Sequence, residues 1–283
     1  MSNPYHVVNF HITNSCNYAC RYCFGKFEGR CYLPLEDTKR IIDGICDYFH
    51  NAGILDGRVN LAGGEPMLYP YLDKLIDHIH SRDISASLVT NGSLLTPERV
   101  NSWSGRVACI GLSVDSLSAE TNPAIGRCCH GDVKELSHWE ALAHACHASG
   151  TRLKINTVVS RLNLEEDMTP LYRSCRPDRI KLFQVHLVQG VNDSARELAI
   201  TEAEFHAFCD RYADFADRIV REPCGSMENS YLMVDPNGDV LLNNNGVYKT
   251  YGNCLTRSFG DTVNQLPLSR DRYTARYGGE VTP

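Results

Sequence analysis

Cys16, Cys20 and Cys23 stand close together in the run CNYACRYCF, with Tyr22 ahead of the last of them. Thiolates are soft ligands suited to iron–sulfur clusters. A four-iron cluster ordinarily takes four cysteines, so three with no obvious fourth leave one iron open. An open iron can hold a small molecule and pass it an electron. Two other readings stand beside this one, a zinc site and three unrelated core thiols. Zinc prefers paired C-x2-C units or histidines at set spacing, and no second pair lies downstream.

Other polar residues recur at the ends of apolar runs. Asn9 and His11 alternate with Val8, Phe10 and Ile12, so they share one face of a strand just ahead of the cysteines. Polar residues on an inner face line a ligand cavity or hydrogen-bond between strands. Gly63 and Gly64 precede Glu65 and Pro66, and paired glycines let backbone approach a ligand closely. Thr90-Asn91-Gly92-Ser93 and Ser113-Val114-Asp115-Ser116 suit a ribose and a carboxylate, with Arg127 following. For Ser113 and Arg127 alone, polar loop residues are the plainer reading. Lys154 and Asn156 share one face of a later strand, and Arg179 and Lys181 share one face of the next. Arg58 opens the second strand, and Lys249 falls in a loop after a hairpin. Each cation could face solvent. Cations on an inner face are costly unless an anion meets them, and a triphosphate fits several at once.

The elements that must position these residues are strands alternating with helices. Strands are predicted at 6–13, 58–62, 85–90, 107–113, 152–158 and 179–187. The helix predicted over 35–50 gathers Thr38, Ile41, Ile42, Ile45, Tyr48 and Phe49 on one face. A second, predicted over 201–220, opens with a Thr201…Glu204 capping box and stacks Phe205, Phe208, Tyr212, Phe215 and Ile219. Six βα repeats imply parallel strands with right-handed crossovers. The expected fold is α/β, an open partial (β/α)6 barrel over 1–220. The polar stretch at 221–229 marks a break. A C-terminal extension over 221–283 then carries a β-hairpin, 231–235 and 240–242 about a Pro-Asn-Gly-Asp turn, and is expected to close the site that a triphosphate would occupy. The tail after Leu266 reads as loosely ordered.

The 283 residues, 43% hydrophobic and 22% charged, suit one large α/β core. A formal net charge of −6 speaks against a nucleic-acid partner. No signal peptide or membrane span is expected. The 13 cysteines point to a reducing compartment rather than a disulfide scaffold. Most of the remaining thiols read as small buried hydrophobes, and the adjacent pair Cys128-Cys129 has no physical account.

The C-x3-C-x2-C motif with its aromatic residue is similar to that of the radical S-adenosylmethionine (SAM) enzymes. Further segments resemble the viperin-like members: VVNFHITNSCNYACRYCF, LPLEDTKR, NLAGGEP, TNGSL, SVDSL, AIGR, KINTVVSRLNLEEDM, DRIKLFQ and MENSYLMVD. The resemblance runs from about residue 7 to about residue 250. It implies a 4Fe-4S cluster on Cys16, Cys20 and Cys23, and SAM held by Gly63, Gly64, Glu65, Asn91, Ser113 and Arg127. It implies a nucleoside triphosphate (CTP or UTP) held by Arg58, Lys154, Asn156, Arg179, Lys181 and Lys249, with Asn9 near the base. The implied reaction removes the ribose 4′-hydrogen and loses the 3′-hydroxyl as water. Tyr231 is the implied final hydrogen donor; without the resemblance it reads as a core aromatic. The product is a 3′-deoxy-3′,4′-didehydro nucleotide, an antiviral terminator of RNA chains. An external one-electron donor is required.

The chain departs from the family pattern in places. Arg58 stands where a lysine is usual, and a guanidinium binds phosphate with different geometry. NNNGVYKTYGNCL replaces a glycine-arginine-lysine loop, which leaves base choice open. An amphipathic N-terminal helix and a tryptophan-ended C-terminus are missing; the chain stops at GGEVTP. A soluble, cytoplasmic protein without membrane attachment is therefore expected. The rival readings are a radical SAM enzyme acting on a peptide or a molybdopterin precursor, and a non-catalytic iron–sulfur nucleotide sensor.

Overall fold

The computed structural model describes residues 5–277. In chain order, β1 (Val7–His11) is followed by α1 (Leu35–Asn51), β2 (Arg58–Ala62), α2 (Leu72–His80), β3 (Ser85–Thr90), α3 (Pro97–Ser102) and β4 (Val107–Ser113). Next come α4 (Thr121–Ile125), α5 (Leu136–Ala148), β5 (Arg152–Val159), α6 (Thr169–Cys175), β6 (Arg179–Gln184), α7 (Glu202–Asp210) and β7 (Ile219–Glu222). Beyond these lie β8 (Met233–Val234), β9 (Asp239–Asn244), β10 (Val247–Asn253), α8 (Phe259–Val263) and α9 (Arg270–Tyr277). The chain forms two compact units. The first holds the residues up to 16, 25–88 and those from 226; the second holds 17–24 and 89–225.

In the first unit β1 pairs in parallel with β2, and β2 with β3. The register aligns Asn9, Asn60 and Ser87 in one row. The other edge of β1 takes β8 in parallel, and β9 and β10 extend it antiparallel. Helix α1 buries Thr38, Ile41, Ile42, Ile45, Tyr48 and Phe49, as its periodicity predicts. Each fully buried large apolar side chain contributes about 1.5–3 kcal/mol, so this face fixes the helix. Gly57 lets Phe49 close down, since a Cβ there would lie 2.6 Å from the ring.

In the second unit β4, β5, β6 and β7 form a parallel set. Its register makes two rows: Gly111, Lys154 and Arg179, then Ser113, Asn156 and Lys181. Trp103, Tyr172, Phe205, Phe208 and Tyr212 are buried in this unit.

Local structure differs from expectation at four places. The capping box at Thr201 forms, but α7 stops at Asp210 and Ile219 enters strand β7, paired with Ile180. The strand overrides the helical pattern, while Phe215 keeps its buried place through a 3-10 turn at Ala213–Phe215. The break at 221–229 also starts later, because Arg221 and Glu222 belong to β7. Lys249 lies on a strand, β10, rather than in a loop. Asn245-Gly246, with φ of 52° and 75°, is the two-residue turn joining β9 to β10. The tail after Leu266 is ordered as α9, whose Tyr273 and Tyr277 pack on Val7; tertiary contact supplies what its periodicity lacks. The GGEVTP ending lies outside the described residues.

The Tyr273 hydroxyl accepts from Val7 N at 2.7 Å and donates to Val7 O at 3.3 Å, so it ties α9 to the start of β1. Replacing it by Phe leaves a buried amide unmet, at about 1–3 kcal/mol. Tyr273→Phe is expected to lower the unfolding free energy by that amount, read as a lower denaturant midpoint with an unchanged slope. An unchanged midpoint would show that α9 is held otherwise.

Candidate active site

The Asp115 carboxylate, 2% exposed at the end of β4, organises the second unit's part of the cysteine loop. Oδ2 accepts from the Tyr22 hydroxyl at 2.5 Å and pairs with Arg127 Nε at 3.0 Å. Oδ1 accepts from Val158 N at 2.7 Å. Burial together with this carboxylate pushes the Tyr22 phenol well above its ordinary range. Burial pulls the Arg127 guanidinium down, but Asp115 beside it carries it well up, so the guanidinium stays charged. Asn192 donates to Tyr22 O at 3.0 Å, and Ala19 N and Arg21 N donate to Gly126 O and Ile125 O. A Cβ at Gly126, where φ is +80°, would lie 2.2 Å from Ala19 O. The loop carrying Cys20 and Cys23 is therefore pinned on both sides.

Asn91, Ser113 and Arg127, read as SAM ligands, do come together. They line one small cavity of the second unit with Asp115, Ser116 and Asn122. Asn91 Nδ2 donates to Asn17 Oδ1 at 2.8 Å, and its own Oδ1 accepts from Ser93. Arg127 is more closely engaged than the plainer reading of a polar loop residue. Nη2 donates to Ser113 O, Nη1 lies 3.5 Å from Cys20 Sγ, and the guanidinium lies over the Tyr18 ring.

Gly63 and Gly64 have a clear structural reason. A Cβ on Gly63 would lie 2.5 Å from Thr13 O, and one on Gly64 would lie 2.3 Å from Ser15 O. Gly64 N and Glu65 N donate to Thr13 O and Ser15 O, both at 2.7 Å. The close backbone approach that paired glycines permit is made here by the chain leading to Cys16. Glu65 is fully buried and caps the next turn by accepting from Met67 N.

On β1 the two polar residues part company. Asn9 hydrogen-bonds between strands, donating to Leu232 O and Tyr277 Oη and accepting from Asn60 Nδ2 at 2.8 Å. That network holds the segment of Tyr231, a half-buried ring with the Arg276 guanidinium 4.6 Å from its centre. His11 is 4% exposed, and neither ring nitrogen has a hydrogen-bond partner among the described residues. Burial holds its pKa at about 4. Each unmet buried group costs about 1–3 kcal/mol.

The expected phosphate cations of the second unit sit in adjacent rows, Lys154 opposite Arg179 and Asn156 opposite Lys181. A Cβ at Gly111 would lie 3.0 Å from Asn156 Nδ2 and 3.2 Å from Lys154 Cε, so that glycine makes their space. Lys181 already has a counter-ion: its Nζ lies 3.1 Å from Glu222 Oε1, both side chains being buried. Arg58 is buried at the start of β2, and Lys249 is exposed with its Nζ 5.6 Å from the Tyr251 ring centre. Sequence reasoning missed Glu222 and the linchpin role of Asp115. The only signal for Asp115 was its place just past a strand end.

The donor set fits an iron–sulfur cluster: Cys16, Cys20 and Cys23 are three cysteines outside any disulfide. Among the described residues no three His, Cys, Asp or Glu side chains close on one point as ligands of a single ion would. Cysteines of a cluster each bind a different iron and need no such convergence. Among the described residues no helix is long and apolar enough to cross a membrane.

Residues 10–175 match the radical SAM superfamily model. Over 280 residues the chain is 32% identical to a Selenomonas ruminantium protein named S-adenosylmethionine-dependent nucleotide dehydratase, covering 96% of this chain and 98% of that one. A Danio rerio protein named S-adenosylmethionine-dependent nucleotide dehydratase RSAD2 is 32% identical over 240 residues, 81% of this chain and 64% of its own. Among solved structures, Streptococcus suis SuiB bound to S-adenosylmethionine matches with a TM-score of 0.68 at 17% identity, over 96% of this chain and 67% of that one. That likeness shows the fold alone, the partial barrel expected from the βα repeats.

Asp115→Asn leaves Arg127 buried without its counter-charge, at about 3–5 kcal/mol. The variant is expected to melt well below the wild type and to take up less iron and sulfide on anaerobic loading; full iron content would separate Asp115 from the loop. For His11, the unfolded chain titrates near 6.5 and the fold near 4, so the unfolded chain binds the proton first. The stability that the neutral ring contributes is present above about 6.5 and is lost as pH falls towards 4. Denaturant midpoints measured across that window should fall more steeply in the wild type than in His11→Gln.

Proposed function

We propose that this chain, which belongs to the radical SAM superfamily and to the SAM-dependent nucleotide dehydratases within it, dehydrates a pyrimidine nucleoside triphosphate, CTP or UTP. The product is the 3′-deoxy-3′,4′-didehydro analogue, a terminator of RNA chains. The enzyme is a dehydratase whose cofactors are a 4Fe-4S cluster and SAM. Cys16, Cys20 and Cys23 would hold the cluster. Gly63, Gly64 and Glu65 with Asn91, Ser113 and Arg127 would hold SAM. Once reduced by an external donor, these cofactors supply the radical chemistry that takes hydrogen from the ribose.

The observation that carries the substrate reading is the paired rows of the second unit. Lys154 opposite Arg179 and Asn156 opposite Lys181 put three cations and an amide on neighbouring strand positions. A polyanion with several oxygens matches that pattern, and three or four charge-assisted hydrogen bonds of about 1.5–3 kcal/mol each support micromolar binding after association costs. Glu222 beside Lys181 orients one of them in advance. Arg58 and Lys249 are the further candidates for the phosphates. The protein's own work is then mainly positioning. Tyr231, anchored through Asn9 and Leu232, gives the last hydrogen atom to the substrate radical. A chain with 13 cysteines that must offer cluster thiolates suits a reducing compartment, and the cytoplasm fits.

The test is anaerobic incubation of the cluster-loaded protein with SAM, a reductant and each of the four nucleoside triphosphates. Deoxyadenosine release and didehydro nucleotide are followed by chromatography. CTP or UTP is expected to raise both, while deoxyadenosine formation that ignores all four nucleotides would sink the assignment. Tyr231→Phe is expected to keep SAM cleavage and to lose product at least ten-fold. Unchanged product would remove Tyr231 from its role.

A further inference from the structure

Asn9 and His11 share one face of β1, but only one of them is spoken for. The Asn9 amide is satisfied by Leu232, Tyr277 and Asn60. The His11 ring is 4% exposed, and both its nitrogens are buried without a partner among the described residues. Its neighbours within the first unit include an aromatic ring and glycine backbone. Phe27 meets it edge to face at 4.9 Å, and a Cβ on Gly25 would lie 3.5 Å from Cε1. On its far side Phe27 lies 5.8 Å from Tyr248 of β10. A buried histidine normally hydrogen-bonds through at least one nitrogen, and among the described residues this ring has no such partner.

The chemistry of a fitting partner follows from the ring. Burial favours the neutral form, which offers one N–H donor and one lone pair. A phosphate oxygen only accepts and gains little from a neutral ring. Its complement is an uncharged group that both donates and accepts. In a nucleotide that is a ribose hydroxyl or the edge of the base.

We propose that His11 hydrogen-bonds the nucleoside half of the substrate, as a binding and orienting residue for the uncharged part of the molecule. The assignment rests on the nucleotide reading given above. It divides recognition by chemistry: lysines and arginines for the phosphates, a neutral imidazole for sugar or base.

The test uses the cluster-loaded protein under anaerobic conditions with SAM, reading equilibrium binding and melting temperature rather than turnover. His11→Phe removes both nitrogens and keeps the ring. Without nucleotide it should melt at or above the wild-type temperature, because replacing an unmet polar group by an apolar one of similar shape is neutral or stabilising. It should bind the accepted triphosphate roughly ten-fold more weakly, bind inorganic triphosphate as the wild type does, and show a smaller nucleotide-induced melting shift. His11→Gln, which keeps one polar end, should recover part of the loss. If a 2′- or 3′-deoxy nucleotide binds the wild type as weakly as the intact one binds His11→Phe, the partner is a ribose hydroxyl. If His11→Phe instead levels the preference among the four bases, the partner is the base edge. A variant that melts lower yet binds nucleotide like the wild type would overturn the assignment, since His11 would then serve only the fold. A wild type that binds none of the four nucleotides would overturn the nucleotide reading itself.

Discussion

A buried carboxylate sets the terms for the reactive half of the second unit. Asp115 cannot sit at 2% exposure as an unpaired anion, because the desolvation cost is several kcal/mol. It is met by a phenol, a guanidinium and a backbone amide. Two of those partners reach into the cysteine loop: Tyr22 belongs to it, and Arg127 touches Cys20. The loop conformation is thus a by-product of neutralising one charge. The arrangement is pre-organised, since no group has to be recruited for Cys20 and Cys23 to be held.

The same logic separates the cations. Lys181 shares a buried pair with Glu222, so its charge alone demands no external anion. Lys181 therefore needs an anionic ligand less than its place on the strand suggests. What remains is geometric. Lys154, Arg179, Asn156 and Lys181 occupy matched positions on two parallel strands, and Gly111 clears the room they need. Under the proposed function, these polar groups lined up by strand register would take the triphosphate, whichever of them are already neutralised.

Much of the architecture could be read from the chain, and the reasons are local. The strands at 58–62, 85–90 and 107–113 fall where predicted because short apolar runs bounded by turns have few alternatives. The Thr201 capping box was equally plain. The end of α7 was hidden, because the aromatic spacing continues past Asp210 while Ile219 is claimed by pairing with β6. Strand β10 was missed although Asn245-Gly246 signals a hairpin, and α9 owes its order to contact with β1. Within the site, the residues carried by short motifs were legible, and the network among them was not. Nothing in the spacing says that Asn9 would be consumed by strand neighbours, that His11 would not, or that Glu222 would find Lys181.

The glycine pair after β2 has a wider implication. Both hydrogens face the backbone oxygens of Thr13 and Ser15, so the pair is demanded by how two stretches of main chain cross. A descendant that had lost its cysteines, and with them all redox activity, would still be obliged to keep Gly63 and Gly64 in order to fold. The pair's presence in a related sequence therefore speaks first for this crossing of the main chain, and by itself does not tell whether the cysteines beside it still work.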